Sequence, residues 1–244
     1  MFCVATSHNG LLRNSVVPLV RAVVIPHRFY RQSAISVKLS ANKMTSENAR
    51  QPTQLFDYFL VLDFEATCDQ DKKPQPQEII EFPVLKVNGK TFETEAVFHQ
   101  YVQPRVNREL SPFCTELTGI IQDMVDNQPH LEETLQKFAN WMETEGLWKD
   151  DVKSVFVTCG DWDLKTMLPQ QCKYFNIRCP QYFKTWINIK KSYCDHQGNY
   201  ARGMMPMLSG LGLRHEGRHH SGIGEHMRIC RYIYIYIIYI YYIT

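Results

Sequence analysis

Residues 58–64 read Y-F-L-V-L-D-F and lead straight into Glu65. A short apolar run rich in β-forming residues is the pattern of a buried strand, and it commits the chain to a sheet. This one ends on two acids spaced i and i+2. Alternate residues of a strand share a face, so a strand continuing through Glu65 would project both carboxylates, Asp63 and Glu65, to the same side. Two acids beside an apolar strand are costly to desolvate unless they hold a cation. Hard oxygen donors in that position suit Mg²⁺, with Mn²⁺ as the alternative.

The following segments extend the sheet. Residues 78–87 predict a second strand, Asn88-Gly89 a hairpin turn, and residues 91–102 the returning third strand. Ser111-Pro112 supplies an N-cap and a first-turn proline, and Gly119 supplies the stop, which together predict a short helix. Leu131, Leu135, Phe138 and Met142 recur at spacings of three and four, so residues 130–145 predict an amphipathic helix. Residues 152–158 predict a fourth strand with a helix from about Asp161. Residues 185–189 predict a short fifth strand with a helix after it. Antiparallel strands followed by helix-connected ones predict an α/β chain with a mixed five-stranded sheet and flanking helices.

Charge is unevenly placed along the 244 residues. Residues 1–46 hold six basic residues and no acid, residues 47–183 hold 13 basic and 22 acidic residues, and residues 184–231 hold eight basic and three acidic residues. A global basic field is therefore excluded, and any polyanion site has to be local. The eight cysteines form no C-x-x-C pair, which argues against a zinc ribbon and for reduced thiols inside a cell. No run of about 20 apolar residues marks a membrane span.

Two further clusters carry chemistry. Cys159-Gly160-Asp161-Trp162-Asp163 follows the fourth strand and opens a helix, and sites in α/β sheets form where loops leave strand ends. Asp161 reads as a helix N-cap facing the dipole, and Asp163 reads as the metal ligand. Gly217-Arg218-His219-His220-Ser221-Gly222 sets histidines in a glycine-flanked basic loop, where an imidazole is suited to accept a proton from water near neutral pH.

The segments L-D-F-E-A-T-C (62–68), S-P-F-C-T-E-L-T-G-I (111–120), V-T-C-G-D-W-D-L-K (157–165) and G-R-H-H-S-G-I (217–223) occur in that order. Together they resemble the Eri exoribonuclease family of DEDDh 3′→5′ exonucleases over about residues 56–223. The resemblance implies an RNase H-like fold of the DnaQ exonuclease type. It also implies two divalent ions, Mg²⁺ or Mn²⁺, and hydrolysis of RNA from its 3′ end. By the same resemblance Asp63, Glu65 and Asp163 match metal ligands, His220 matches the general base, and Thr67 matches a contact to the terminal nucleotide. His220 is preferred to His219 because the family spacing of Arg, His and Gly runs over 218, 220 and 222. The family's last acid is an Asp in an Asp-Asp pair, and Gly224 and Glu225 stand at those positions here.

The chain thus divides into a leader or disordered tail (1–55), an exonuclease domain (56–223) and an aberrant end (224–244). Arginine-rich and acid-free, residues 1–46 fit a mitochondrial transit peptide. Mitochondrial is thus the alternative location; the leading expectation is a cytoplasmic or nuclear protein on which this stretch is an ordinary tail. Residues 232–243 contain only Tyr and Ile, an uncharged β-prone run that replaces the expected closing helix and favours aggregation. RNA 3′ ends are the expected partner, with protein partners besides. The competing function is an RNA- or protein-binding module with an incomplete metal site.

Overall fold

The computed structural model describes residues 55–200 and 203–210. The leader, His219, His220, Glu225, the closing helix and the Tyr/Ile run all lie outside the described residues.

Strand β1 (Tyr58–Leu62) stops one residue before Asp63, and a two-residue strand β2 (Glu65–Ala66) follows. A long strand β3 (Ile79–Asn88) and β4 (Thr94–Tyr101) form a hairpin. Helices α1 (Pro112–Thr118), α2 (Gln122–Val125) and α3 (Leu131–Thr144) lead to β5 (Ser154–Thr158). A π-helical segment (Trp162–Met167) runs into α4 (Leu168–Tyr174), and a 3₁₀ turn precedes β6 (Trp186–Asn188). Helices α5 (Ile189–Gln197) and α6 (Met204–Gly210) complete the described chain.

Both β1 and β2 pair antiparallel with β3, β4 pairs with β3, β5 runs parallel to β1, and β6 runs parallel to β5. Six strands therefore fill the five expected positions, because β1 and β2 are two pieces of one strand. The predicted continuous strand through Glu65 is corrected here. Tyr58 pairs with Asn88 and Glu65 with Glu81 in one unbroken register, which sets Asp63 across from Pro83. Proline has no N–H to give the ladder, so the pairing lapses there. The Phe64 N–H points to the other side, past the end of the β1–β5 pairing, where it finds a side-chain acceptor.

Neither face of the sheet is left to water. Leu60, Leu62, Phe82, Val84 and Phe156 pack on one side against Leu131, Leu135, Phe138 and Met142 of α3. Phe59, Val61, Val155 and Val157 pack on the other against Ile189 and Tyr193 of α5 and Met204, Met207 and Leu208 of α6. Coverage on both sides explains why β1 has no polar alternation. Phe138 is fully buried, with ring centroids of Phe82 and Phe98 each at 5.1 Å and Phe183 stacked at 5.7 Å. Phe138→Leu should cost about 1–2 kcal/mol through lost ring contacts and residual cavity; chemical denaturation measures it, and an unchanged midpoint would remove Phe138 from the centre of this core.

The helix over 112–118 has the anticipated signals. Ser111 accepts from the Cys114 N–H, and Gly119 closes the helix at φ 77°. The hairpin differs from expectation. Asn88 does not start a two-residue turn but accepts from the N–H groups of Lys90 and Thr91, and Phe92 takes the positive φ of 58°. Gly89 is required for a different reason: a Cβ there would collide with the Phe56 carbonyl oxygen.

Candidate active site

Three neighbouring parallel strands deliver their carboxyl ends to one edge of the sheet. β1 is followed by Asp63, β5 by Cys159, Asp161 and Asp163, and β6 by Lys190. This is where ligands gather in open α/β sheets.

Asp163 is the best-defined member. It lies in the first turn of the π-helical segment, whose Leu168 N–H reaches back five residues to the Asp163 carbonyl. A π turn inside a helix re-aims side chains and recurs at functional sites. The carboxylate is 3% exposed. Its Oδ1 accepts from the Phe64 N–H at 2.9 Å, which joins the β1–β2 break to the helix start. Burial, and then the negative charge of Asp63, push the Asp163 carboxyl up to about 8. The hydrogen bonds from the backbone and the Lys190 ammonium act in the opposite direction without cancelling the rise.

Cys159 occupies the same pocket of charge. Its thiol is raised to about 12 by burial and then by Asp63, with Asp163 adding to the rise and Lys190 opposing it. Gly160 adopts φ 117°, and a Cβ there would stand 3.5 Å from Lys190 Nζ. That backbone conformation is what calls for glycine, and the ammonium lies at ordinary contact distance from the position.

Asp161 occupies the N-cap position but makes no capping hydrogen bond, contrary to expectation. Its carboxylate instead accepts from Asn188 Nδ2 (2.7 Å), Lys191 Nζ (3.0 Å) and Trp186 Nε1 (3.2 Å). Burial works to raise Asp161, but these bonds outweigh it and hold the carboxyl below its ordinary value. Its role is to tie β6 to the end of β5.

Glu65 is half-buried at the start of β2, opposite Glu81. Thr67 is 3% exposed, and its Oγ1 accepts from the Glu78 N–H at 2.9 Å while its own N–H donates to the Glu78 carbonyl at 2.7 Å. Glu78 is fully buried, and its carboxylate accepts from the N–H groups of Arg105 (2.6 Å), Val106 (3.0 Å) and Asn107 (2.7 Å) and from the Asn107 amide (3.0 Å). This anchor, which fixes loop 103–110 to the strand carrying Glu65 and Thr67, was not anticipated. Lys190 was missed as well, because only the pairing of β6 with β5 brings it to this edge.

Asp63 and Asp163 therefore form the kernel of the site. Two neighbouring carboxylates, one deeply buried and raised first by that burial and then by the other's charge, meet at this edge with Lys190 beside them. Hard oxygen donors fit a divalent cation. Among the described residues no group of three or more His, Cys, Asp or Glu assembles into a metal cage. The described part of the site thus contributes a carboxylate pair, and the remaining candidates His220 and Glu225 lie outside it.

Residues 60–226 match the family model described as an exonuclease. The chain is 56% identical over 194 residues to ERI1 exoribonuclease 3 of Bos taurus, covering 77% of this chain and 57% of the relative. It is 59% identical over 177 residues to the Homo sapiens protein of the same name, covering 71% of this chain and 52% of the relative. The chain spans a little over half the length of these curated relatives. Among solved structures it is similar to the nuclease domain of 3′hExo, a DEDDh family member bound to rAMP. That match has TM-score 0.70 and 36% identity, over 77% of this chain and 94% of that one. A second match, a 3′-exonuclease recognising the histone mRNA stem-loop, has TM-score 0.72 and 34% identity, over 80% and 68% of the two chains.

Proposed function

The chain belongs to the exonuclease family, and on that premise we propose that it removes nucleotides from the 3′ end of RNA by metal-dependent hydrolysis of the terminal phosphodiester. The observation that carries this reading is the juxtaposition of the Asp63 and Asp163 carboxylates, hard oxygen donors, at the carboxyl ends of β1 and β5.

Asp63 and Asp163 are the proposed primary ligands, with Glu65 from the adjoining strand and Glu225 in the place of the family's last acid. Two Mg²⁺ ions fit this donor chemistry best, and Mn²⁺ is the alternative. Such ions supply Lewis acidity that lowers the pKa of water and offsets charge on a leaving 3′ oxygen. His220 accepts the proton of the attacking water. Asp163 is locked by Phe64 and by the π turn, so its oxygens stay fixed while the substrate arrives. Thr67 lines the floor beside Glu65 and contacts the terminal nucleotide through the segment it anchors. The basic segment 184–231 provides local attraction for a polyanion. No helix among the described residues is long and apolar enough to cross a membrane.

The purified chain should release mononucleotides from 3′-labelled RNA in Mg²⁺ and none in EDTA, and Asp63→Asn should lower that rate by roughly 10³-fold or more while the melting curve stays cooperative. Undiminished cleavage by the variant would take Asp63 out of the site. A parallel 3′-labelled DNA arm decides the sugar preference, and faster digestion of DNA would overturn the RNA assignment.

A further inference from the structure

Two pairs of cysteines lie close in the described fold, and one of them, Cys172 and Cys179, belongs to no part of the carboxylate site. Cys68 and Cys114 meet where α1 docks on the segment after β2. Ser111 Oγ donates to the Cys68 carbonyl and accepts from the Cys114 N–H, and Cys114 Sγ donates to the Ala66 carbonyl. Cys172 and Cys179 meet beneath the turn that leaves α4. There the Ile177 N–H returns to the Cys172 carbonyl at 2.8 Å, Asn176 takes a left-handed φ of 55°, and the chain doubles back so that Cys172 and Cys179 pack on the same core cluster.

The pairs differ in environment. Cys172 is 1% exposed inside the main core, whereas Cys179 packs against that core but remains half-exposed. Lys184 places a positive charge near Cys179. Tyr182 adds an independent sign, for its hydroxyl is buried near the same sulfur and has no hydrogen-bond partner. A buried donor without an acceptor is costly, and its presence beside a sulfur suits a group that becomes negative there.

We propose that Cys179 and Cys172 are a peroxide-reactive dithiol that closes to an intramolecular disulfide. Cys179 is the attacking thiol, Cys172 the resolving one, and hydrogen peroxide the co-reactant. The Cys179 sulfur attacks one peroxide oxygen, the O–O bond breaks, and hydroxide departs as water with a proton, leaving a sulfenic acid. The Cys172 sulfur then attacks the Cys179 sulfur, the S–S bond forms, the S–O bond breaks, and the second water carries away the Cys172 proton. Two thiols lose two electrons and one peroxide becomes two waters. The ordering follows first from access: Cys179 lies at the edge of the core, whereas Cys172 is 1% exposed inside it. The bond from Cys172, aided against burial by Lys184, lowers the Cys179 thiol to about 7, while Cys172 is driven up. Cys68, raised to about 12 chiefly by burial and then by Cys114, is the inert comparison.

The sequence offers a clean readout because Lys173 and Arg178 lie between the two cysteines. Trypsin excises residues 174–178, so a disulfide leaves residues 166–173 joined to residues 179–184. The whole chain is treated with a small excess of hydrogen peroxide, alkylated, digested without reductant and weighed by mass spectrometry. The joined peptides should appear before any product at Cys68 or Cys114 and vanish with dithiothreitol. Iodoacetamide near pH 7 should modify Cys179 about 10-fold or more faster than Cys68. Cys179→Ser should abolish the joined pair, and Cys172→Ala should leave a sulfenic acid at 179 that dimedone traps. Should Cys172→Ala fail to fold, the untreated-sequence digest decides alone. Cys179 remaining a thiol while Cys68 or Cys114 oxidises, or a trapped sulfenic acid in the unmutated chain with no joined pair, overturns the proposal. None of these readouts uses nuclease activity, so the outcome is separate from the functional reading above.

Discussion

Asp163→Asn should abolish cleavage and at the same time make the metal-free protein more stable above neutral pH. The two effects share one cause. Burial and the Asp63 charge raise the Asp163 carboxyl to about 8 in the folded chain, against an ordinary value near 4. Between those values the folded chain holds a proton that the unfolded chain has released, so stability falls as pH rises from about 4 to about 8 and levels off above. Asparagine does not titrate, and its Oδ1 still accepts from the Phe64 N–H. Relief of a buried like-charge contact is worth about 1–4 kcal/mol, a rise of several degrees in melting temperature at pH 8. At pH 5 the native acid is already neutral and the difference should shrink towards zero. Saturating Mg²⁺ should stabilise the native protein at pH 8 and leave the variant unmoved. Removing a ligand of this kind costs on the order of 10³-fold or more in rate. Melting curves at the two pH values, with and without Mg²⁺, decide the matter. A variant less stable than the native chain at pH 8 in EDTA would show that Asp163 is a structural acid.

Glu78→Ala should be the most damaging surface-independent change in the fold, at about 3–5 kcal/mol and roughly 10 °C in melting temperature. The buried carboxylate is the acceptor for three consecutive backbone N–H groups and the Asn107 amide. Alanine leaves these donors without an acceptor and leaves a void at the start of β3. Glu78→Gln retains one acceptor oxygen and should fall between the two. Chemical denaturation of the three proteins tests the order. An alanine variant within 1 kcal/mol of the native chain would mean that loop 103–110 finds other acceptors.

The sequence pattern yields the sheet, the α3 stripe and the cap at Ser111, since each depends on neighbours within a turn or two. It also singles out Asp63 and Asp163, which the fold then brings beside each other at the ends of β1 and β5. What it does not yield depends on contacts distant along the chain. The strand break at Asp63 follows from Pro83 opposite, a fact visible only once the register is known. The turn of Asp161 towards Trp186 and Asn188 replaces a local cap with a non-local one. Glu78 looks like any strand-end acid until loop 103–110 folds over it. Lys190 joins the site because β6 lies beside β5, which no local spacing states.

The hydrogen bond from Phe64 to Asp163 spans 99 residues. It therefore has a consequence for the order in which the molecule comes into being. A growing chain emerges with Asp63 in water, and the hairpin of β3 and β4 can close around β1 before Asp163 has been synthesised. The two carboxylates are forced together only when β5 docks beside β1, the contact of greatest sequence separation in the sheet's centre. The repulsion is thus deferred until β5 docks, after the hairpin has had the chance to form.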